Sequence, residues 1–198
     1  MTQEQKWISE KVIRNLNVFL KKLNTQEVKY IAVDGYKLPY AFEIFDYNIE
    51  KEITTVNHDN SLKYETDILI WETNEQKKTT KPRIIIEGKL KTISTHAAIT
   101  YSNKAKAHKT VHPYLRYGII IGDNKSDSIP GRLFRHGENF DFMLCWDGLY
   151  PKGECRNNFH DLIDKEIKAS QDFEEFILNT RKSNRKKYNY LHKELILK

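Results

Sequence analysis

The sequence predicts an α/β domain with a mixed central β-sheet flanked by helices. Three observations predict it. Two apolar segments, residues 62–72 and 83–90, flank the polar stretch EQKKTTK at 75–81, the arrangement of antiparallel neighbours. A helical segment then leads into LRYGIIIG at 115–122, and a strand–helix–strand unit of this spacing is most simply a right-handed parallel crossover. Amphipathic helices stand near both ends of the chain.

The first of these helices covers residues 3–24, where Trp7, Ile8, Val12, Ile13, Leu16, Phe19, Leu20 and Leu23 recur at helical spacing before Asn24 and Thr25 stop it. VKYIAV at 28–33 is a strand and Asp34-Gly35 a turn. AFEIFDYNIEKEI at 41–53 alternates weakly, as another strand, and His58-Asp59-Asn60 is a turn. After the two apolar segments, Ser94 or Thr95 caps a helix that runs to about His112, where Pro113 ends it. Ala98, Tyr101, Ser102 and Ala105 share one stripe of that helix, and small residues there let it lie close on a sheet. Phe140, Phe142, Leu144 and Trp146 alternate with Asp141, Met143 and Cys145 as a further strand, and residues 158–179 form the last helix. No internal repeat interrupts the chain, so residues 1–198 form a single domain, with 181–198 a basic C-terminal arm.

The composition is globular on the polar side, with 39% hydrophobic and 30% charged residues, and 11 Tyr, 9 Phe and 3 Trp exclude a disordered chain. No apolar run approaches the roughly 20 residues of a membrane helix. MTQEQKWISEK lacks the apolar core of a signal peptide. A cytoplasmic setting is expected, with Cys145 and Cys155 as reduced thiols and no structural zinc site. Lys and Arg number 33 against 27 Asp and Glu, a net charge of +6 that fits an anionic partner, nucleic acid first among them. A merely basic surface is the plainer alternative.

YETDILIWETN places Asp67 inside an apolar run, and KPRIIIEGKLK ends another in Glu87-Gly88-Lys89. Carboxylates and lysines are depleted from strand interiors and are rarely buried without partners. Residues two apart share a strand face, so Glu87 and Lys89 point the same way as Ile85, and Ile84 and Ile86 point oppositely. Asp67 comes opposite Glu87 if the hairpin register allows. Two carboxylates at one place repel, and a divalent cation removes the conflict. Carboxylate oxygens suit magnesium, which takes one or two of them and fills its octahedron with water and substrate phosphate. Lys89 beside a metal-bound phosphate holds the attacking water and offsets charge that develops in the transition state. Gly88, lacking a side chain, lets metal or substrate approach the main chain and offers its carbonyl to the ion. The alternative is a cross-strand ion pair on a solvated face, against which stand Ile85 and Ile86, apolar on both faces of the strand.

Over residues 60–122 the sequence resembles the PD-(D/E)xK nuclease superfamily: Asp67, then Glu87-Gly88-Lys89, a helix and a buried strand, with Thr66 in place of the motif's proline. The resemblance implies a restriction-endonuclease-like core. With the small size and basic charge, it looks most like a type II restriction endonuclease. That implies Mg2+-dependent hydrolysis of double-stranded DNA by a homodimer, with Asp67 and Glu87 holding the metal, Gly88 beside them, and Lys89 catalytic. A repair or junction-resolving nuclease of the same core is the nearest rival, and a non-catalytic nucleic-acid-binding module the rival of another class.

Further residues fall around this constellation. Glu65 shares a strand face with Asp67, as a further acidic group or a solvated acid. Glu10 lies on the first helix, where some superfamily members supply an extra acidic ligand, though a solvated helix residue is the better reading. His96, Tyr101, Asn103, Lys104, Lys106 and Lys109 make the 95–112 helix rich in DNA-contacting types. His108 and His112 are one helical turn apart, the spacing of a metal pair, but no nearby Glu completes a zinc-protease motif. Arg132 and Arg135, with Asn139, suit base edges in the major groove. Lys186 and Lys187, within RKSNRKKYNYLHK, supply sequence-independent phosphate affinity.

Overall fold

The computed structural model describes residues 1–48, 53–56, 62–126, 128–192 and 195–197. The first helix comprises α1 (Gln3–Trp7), a π-helical stretch (Ile8–Ile13) and α2 (Arg14–Leu20). Thr2 opens it with a capping box: its hydroxyl accepts from the Gln5 amide at 3.1 Å, and the Gln5 side chain accepts from the Thr2 amide at 2.8 Å. Trp7, Ile8, Val12, Leu16 and Leu20 form its buried stripe. The helix stops at Leu20, short of residue 24. Asn24 and Thr25 beyond it accept hydrogen bonds from the amides of Tyr30 and Val28, which starts the next strand instead.

Strand β1 (Val28–Val33) matches its expected bounds, and Gly35 takes the turn at φ 63°. A strand β2 (Tyr36–Ala41) follows that the pattern did not predict, because Pro39 argues against a strand. It is tolerated in a two-stranded sheet, where a missing donor faces no neighbour on one side. The alternation at 41–53 resolves into two antiparallel strands, β3 (Ile44–Asn48) and β4 (Ile53–Val56). The expected turn at His58-Asp59-Asn60 lies outside the described residues.

The segment expected as one strand at 62–72 is two. β5 (Leu62–Thr66) pairs with β2, and after Asp67 the chain enters the central sheet as β6 (Ile68–Asn74). β7 (Thr79–Leu90) pairs antiparallel with β6, and since it already begins at Thr79 the polar connection shrinks to a turn. Helix α3 (Thr95–Val111) is capped by Ser94, whose hydroxyl accepts from the Ala97 amide at 3.1 Å. β8 (Arg116–Gly122) lies parallel to β7. The loop at 123–139 contains a six-residue helix, α4 (Gly131–His136), too short to show a period. β9 (Phe142–Cys145) is parallel to β8, and α5 (Gly153–Asn179) starts earlier than residue 158. The central sheet has the order β1-β6-β7-β8-β9, a mixed sheet as the α/β expectation requires.

Helices cover both sheet faces. The first helix and α5 bury Ile68, Ile70, Ile84, Ile86 and Ile120 together with Trp146 and Phe159. On the other face, α3 and α4 bury Leu69, Ile85, Tyr117, Ile119 and Ile121 with Ala98 and Ala105. The alternation along β7 thus divides as its residues dictate. Among the described residues, no helix is long and apolar enough to cross a membrane.

Buried ion networks fix α5 to the sheet. Arg83 reaches Glu72 through two nitrogens, at 2.7 and 2.9 Å, and Glu174 at 2.7 Å. Gln171 donates to Glu72 at 2.6 Å and to the Tyr30 hydroxyl at 2.8 Å. Burial pushes the Glu72 carboxyl up, but hydrogen bonds from Arg83 and Gln171 and the nearby charges hold it below the usual carboxylate range. Removing one partner of such a pair strands the other's charge. Arg83→Ala is expected to cost about 3–5 kcal/mol, read as a lower midpoint in urea denaturation with an unchanged slope.

Candidate active site

Asp67 occupies the bend where the chain leaves the β2–β5 sheet for the central one. Ile68 pairs with Ile86, so Asp67 stands beside the Glu87-Gly88 step. Its Oδ2 accepts from the Gly88 amide at 2.9 Å and lies 3.9 Å from Lys89 Nζ. Thr66, at the place of the motif's proline, is buried and donates its hydroxyl to the Tyr36 carbonyl at 3.0 Å. The residue before Asp67 therefore ties the bend to β2.

Glu87 is 1% exposed and faces α3 with Ile85 and Lys89. The Tyr117 hydroxyl donates to its Oε1 at 2.5 Å. Burial first, and the charge of Asp67 second, push the Glu87 carboxyl up to about 8, while the Tyr117 hydroxyl and the Lys104 ammonium pull the other way. The same burial, with Glu87 beside it, raises the Tyr117 phenol well above its ordinary range.

Lys89 Nζ donates to Glu4 Oε1 at 2.6 Å and sits 4.7 Å from the centre of the Tyr101 ring. Glu4 also accepts from the Leu90 amide at 3.3 Å. Burial works against the charge on Lys89. Hydrogen bonds to Glu4 and Tyr101 and the charge of Asp67 outweigh it and raise the pKa above the usual lysine value. Lys104 lies 5.1 Å from each of the Tyr64 and Tyr101 ring centres. Tyr101 therefore has two ammonium groups near its ring, the cation–π geometry that fixes both.

Each carboxylate has one oxygen held by a protein donor, Asp67 by the Gly88 amide and Glu87 by Tyr117. The two carboxyl groups also hydrogen-bond each other, a contact that helps to raise the Glu87 pKa. β6 begins only at Ile68, so Gly88 has no strand partner on the Asp67 side, and its carbonyl leaves β7 on the same edge as its amide. Two carboxylates and a carbonyl suit magnesium, which draws its remaining ligands from water and phosphate. Among the described residues no group of three or more His, Cys, Asp or Glu gathers as a metal cage.

The remaining expectations divide. Glu10 is the solvated helix residue of its better reading: it lies 4.0 Å from Lys6, with both side chains more than half exposed. The helix residue that reaches the site is Glu4. Glu65 is exposed and faces Lys37 in the β2–β5 sheet, so the break at Asp67 removes it from the site. Gly88 leaves no open approach on its Cβ side: an added Cβ would come within 2.9 Å of Ile8 and 3.1 Å of Trp7. Its small size serves helix packing. His108 is buried, its Nδ1 3.2 Å from the Pro39 carbonyl and its ring beside those of Tyr64 and Tyr117. Lys109 bridges the Asn139 carbonyl and Asp141, each at 2.7 Å, and Arg132 donates to the Ile93 carbonyl at 3.0 Å. Those two side chains hold α3, α4 and the neighbouring loops together.

Of the residues picked for DNA contact, Tyr101 and Lys104 stand next to the acidic pair. His96, Asn103, Lys106, Arg135, Lys186 and Lys187 are exposed. Glu4 and Tyr117 went unpicked. Glu4 carries no local signal beyond its place in the first helical turn. Tyr117 did carry one: in a strand parallel to β7, Tyr117, Ile119 and Ile121 share the face of Glu87. No protein-family model and no curated protein matches the chain.

Burial, and then the charges of His112 and Lys104, lower the His108 pKa to about 4 against the opposing effect of the Pro39 hydrogen bond. The folded state therefore holds His108 neutral. Between about pH 6.5 and 4 the unfolded chain binds the proton and the folded one does not, so stability falls as pH drops through that window. The contribution is at most about 1.4 kcal/mol per pH unit from this one group. Urea titrations across the window should show His108→Phe with a slope shallower by up to one proton.

Proposed function

We propose that this protein is a Mg2+-dependent endonuclease of the PD-(D/E)xK type, acting on double-stranded DNA in a sequence-specific manner as a homodimer. The observation that carries the reading is the convergence of Asp67, from the bend between β5 and β6, with Glu87 and Lys89 of β7, at the edge where the two sheets part. Each has a supporting contact from a different element: Gly88, Tyr117 and Glu4. The basic charge, and the ammonium of Lys104 beside the acidic pair, favour a polyanion as the substrate.

A bound magnesium ion supplies Lewis acidity at the phosphate and lowers the pKa of a coordinated water. Asp67 and Glu87 would hold it, with the Gly88 carbonyl as a third oxygen. Lys89, steered by Glu4 and Tyr101, hydrogen-bonds the attacking water or a phosphate oxygen and stabilises charge that grows toward the transition state. Lys104 draws a phosphate toward the pair and partly offsets its repulsion.

The decisive experiment incubates the protein with plasmid DNA and magnesium and sequences the fragment ends. Ends at one short sequence support the reading, and cutting only at branched DNA favours a junction-resolving enzyme. Asp67→Ala and Glu87→Ala should abolish cleavage with the fold retained. Lys89→Ala should slow it by about two to four orders of magnitude while changing metal affinity little. Cleavage by the Asp67 and Glu87 variants near the wild-type rate would remove the site.

Binding separates general from specific contacts. Neutralising Lys186 and Lys187 together should weaken binding to cognate and random duplexes alike. The salt slope should shrink by roughly 0.9 for each phosphate that is no longer neutralised. Arg135→Ala should instead relax one position of the recognised sequence, by about 1–3 kcal/mol. An unchanged slope for the double lysine variant makes the arm a solvated basic end.

A further inference from the structure

We propose that Tyr117 is a positioning residue for the metal site: its hydroxyl holds one oxygen of Glu87 so that the other alone meets the cation. The proposal rests on the metal reading above and deepens it.

Three features of Tyr117 fit this role. The first is placement. Tyr117 pairs with Ile85 in the parallel β7–β8 register, two residues before Glu87 on the same face. A tyrosine side chain laid along the neighbouring strand spans that step, and the hydroxyl meets Oε1 at 2.5 Å. The second is rigidity. The ring is 0% exposed and lies between His108 and Phe140, with ring centres 5.9 and 6.2 Å away and interplanar angles of 28° and 29°. The backbone is held as well, since the Tyr117 amide donates to Asp141 Oδ2 at 2.8 Å and its carbonyl accepts from the Asp141 amide at 2.7 Å. The third is economy of donors. Burial explains a phenol in this core, but a buried hydroxyl still needs a partner. Its partner here is the proposed metal ligand.

The consequence concerns denticity. A Glu87 carboxylate with Oε1 held by a phenol presents Oε2 alone. Asp67 is matched to it, with Oδ2 held by the Gly88 amide. Two carboxylates restricted to one oxygen each suit the compact octahedron of magnesium better than the larger, often bidentate sphere of calcium. Partners that orient a metal ligand in this way typically account for tenfold to a hundredfold in metal affinity.

Tyr117→Phe keeps the ring and removes only the hydroxyl. Mn2+ binding to the DNA-free protein is measured by titration calorimetry, with circular dichroism and thermal melting as the check on fold. The expected result is a wild-type-like spectrum, with Mn2+ affinity at least tenfold weaker and the preference for Mn2+ over Ca2+ reduced. Glu87→Gln and the double variant complete a cycle. If Tyr117 acts through Glu87, adding Tyr117→Phe to Glu87→Gln weakens Mn2+ no further. Wild-type affinity in Tyr117→Phe overturns the proposal and leaves the metal site standing, as does an independent loss in the double variant. A wild-type protein that takes up no Mn2+ overturns the metal reading and this proposal with it. Should Tyr117→Phe not fold, 3-fluorotyrosine at position 117 nearly keeps the shape and, as a more acidic phenol, alters the strength of the hydrogen bond donated to Glu87. Unchanged Mn2+ affinity there overturns the proposal equally.

Discussion

Between Leu62 and Asn74 the chain is extended almost throughout, yet it belongs to two sheets, and Asp67 is the residue at which it changes from one to the other. A strand that leaves its sheet abandons backbone partners, and the amide of Gly88 on β7 would lose its ladder bond at that point. The Asp67 carboxylate takes the place of the missing strand by accepting from that amide. A structural requirement, satisfying a strand end, therefore brings a charge to the edge of the sheet. Everything else in the site is arranged about that edge: Glu87 and Lys89 on β7, Tyr117 across the parallel pair, and Glu4 from the first helical turn.

The charges there are mutually dependent. Glu87 is almost fully buried next to a carboxylate, an environment that resists ionisation, and only Tyr117 and Lys104 oppose the resistance. Lys89 keeps its proton because Glu4, Tyr101 and Asp67 surround it. Without a cation the lysine is engaged in ion pairs. Glu4 holds the lysine from the first helix and Asp67 from the bend, so the ammonium is shared between two elements of the fold.

Alternation and loop length in the sequence sufficed for the β6–β7 pair, the α3 crossover and the β8 strand, because the strands are apolar runs and α3 has a clear cap at Ser94 and a stop at Pro113. They sufficed also for the face shared by Glu87 and Lys89, which follows from the two-residue repeat alone. What escaped is tertiary. The break at Asp67 hides inside a pattern that continues across it, so alternation alone leaves Glu65 open between a further acidic group and the solvated acid that it is. Which glutamate of the first helix reaches the site depends on where that helix crosses the sheet, and a helical period cannot say. α4 escaped because six residues hold no period. The fate of Lys109 and Arg132 was hidden for a similar reason: a cation on a polar helix face looks the same whether it meets a phosphate or an Asp such as Asp141.

Trp7 and the two glycines it faces form one packing unit. A Cβ on Gly122 would meet the indole at 2.5 Å, and one on Gly88 would meet it at 3.1 Å, beside Ile8. Position 88 is thus coupled in volume to position 7, although the two are far apart in the chain. Across homologous chains these positions should covary, with alanine or serine at 122 accompanying a smaller residue at 7, and at 88 smaller residues at both 7 and 8. A glycine between the Glu and the Lys of such a chain would then record the size of the helix residues on the far side of the sheet.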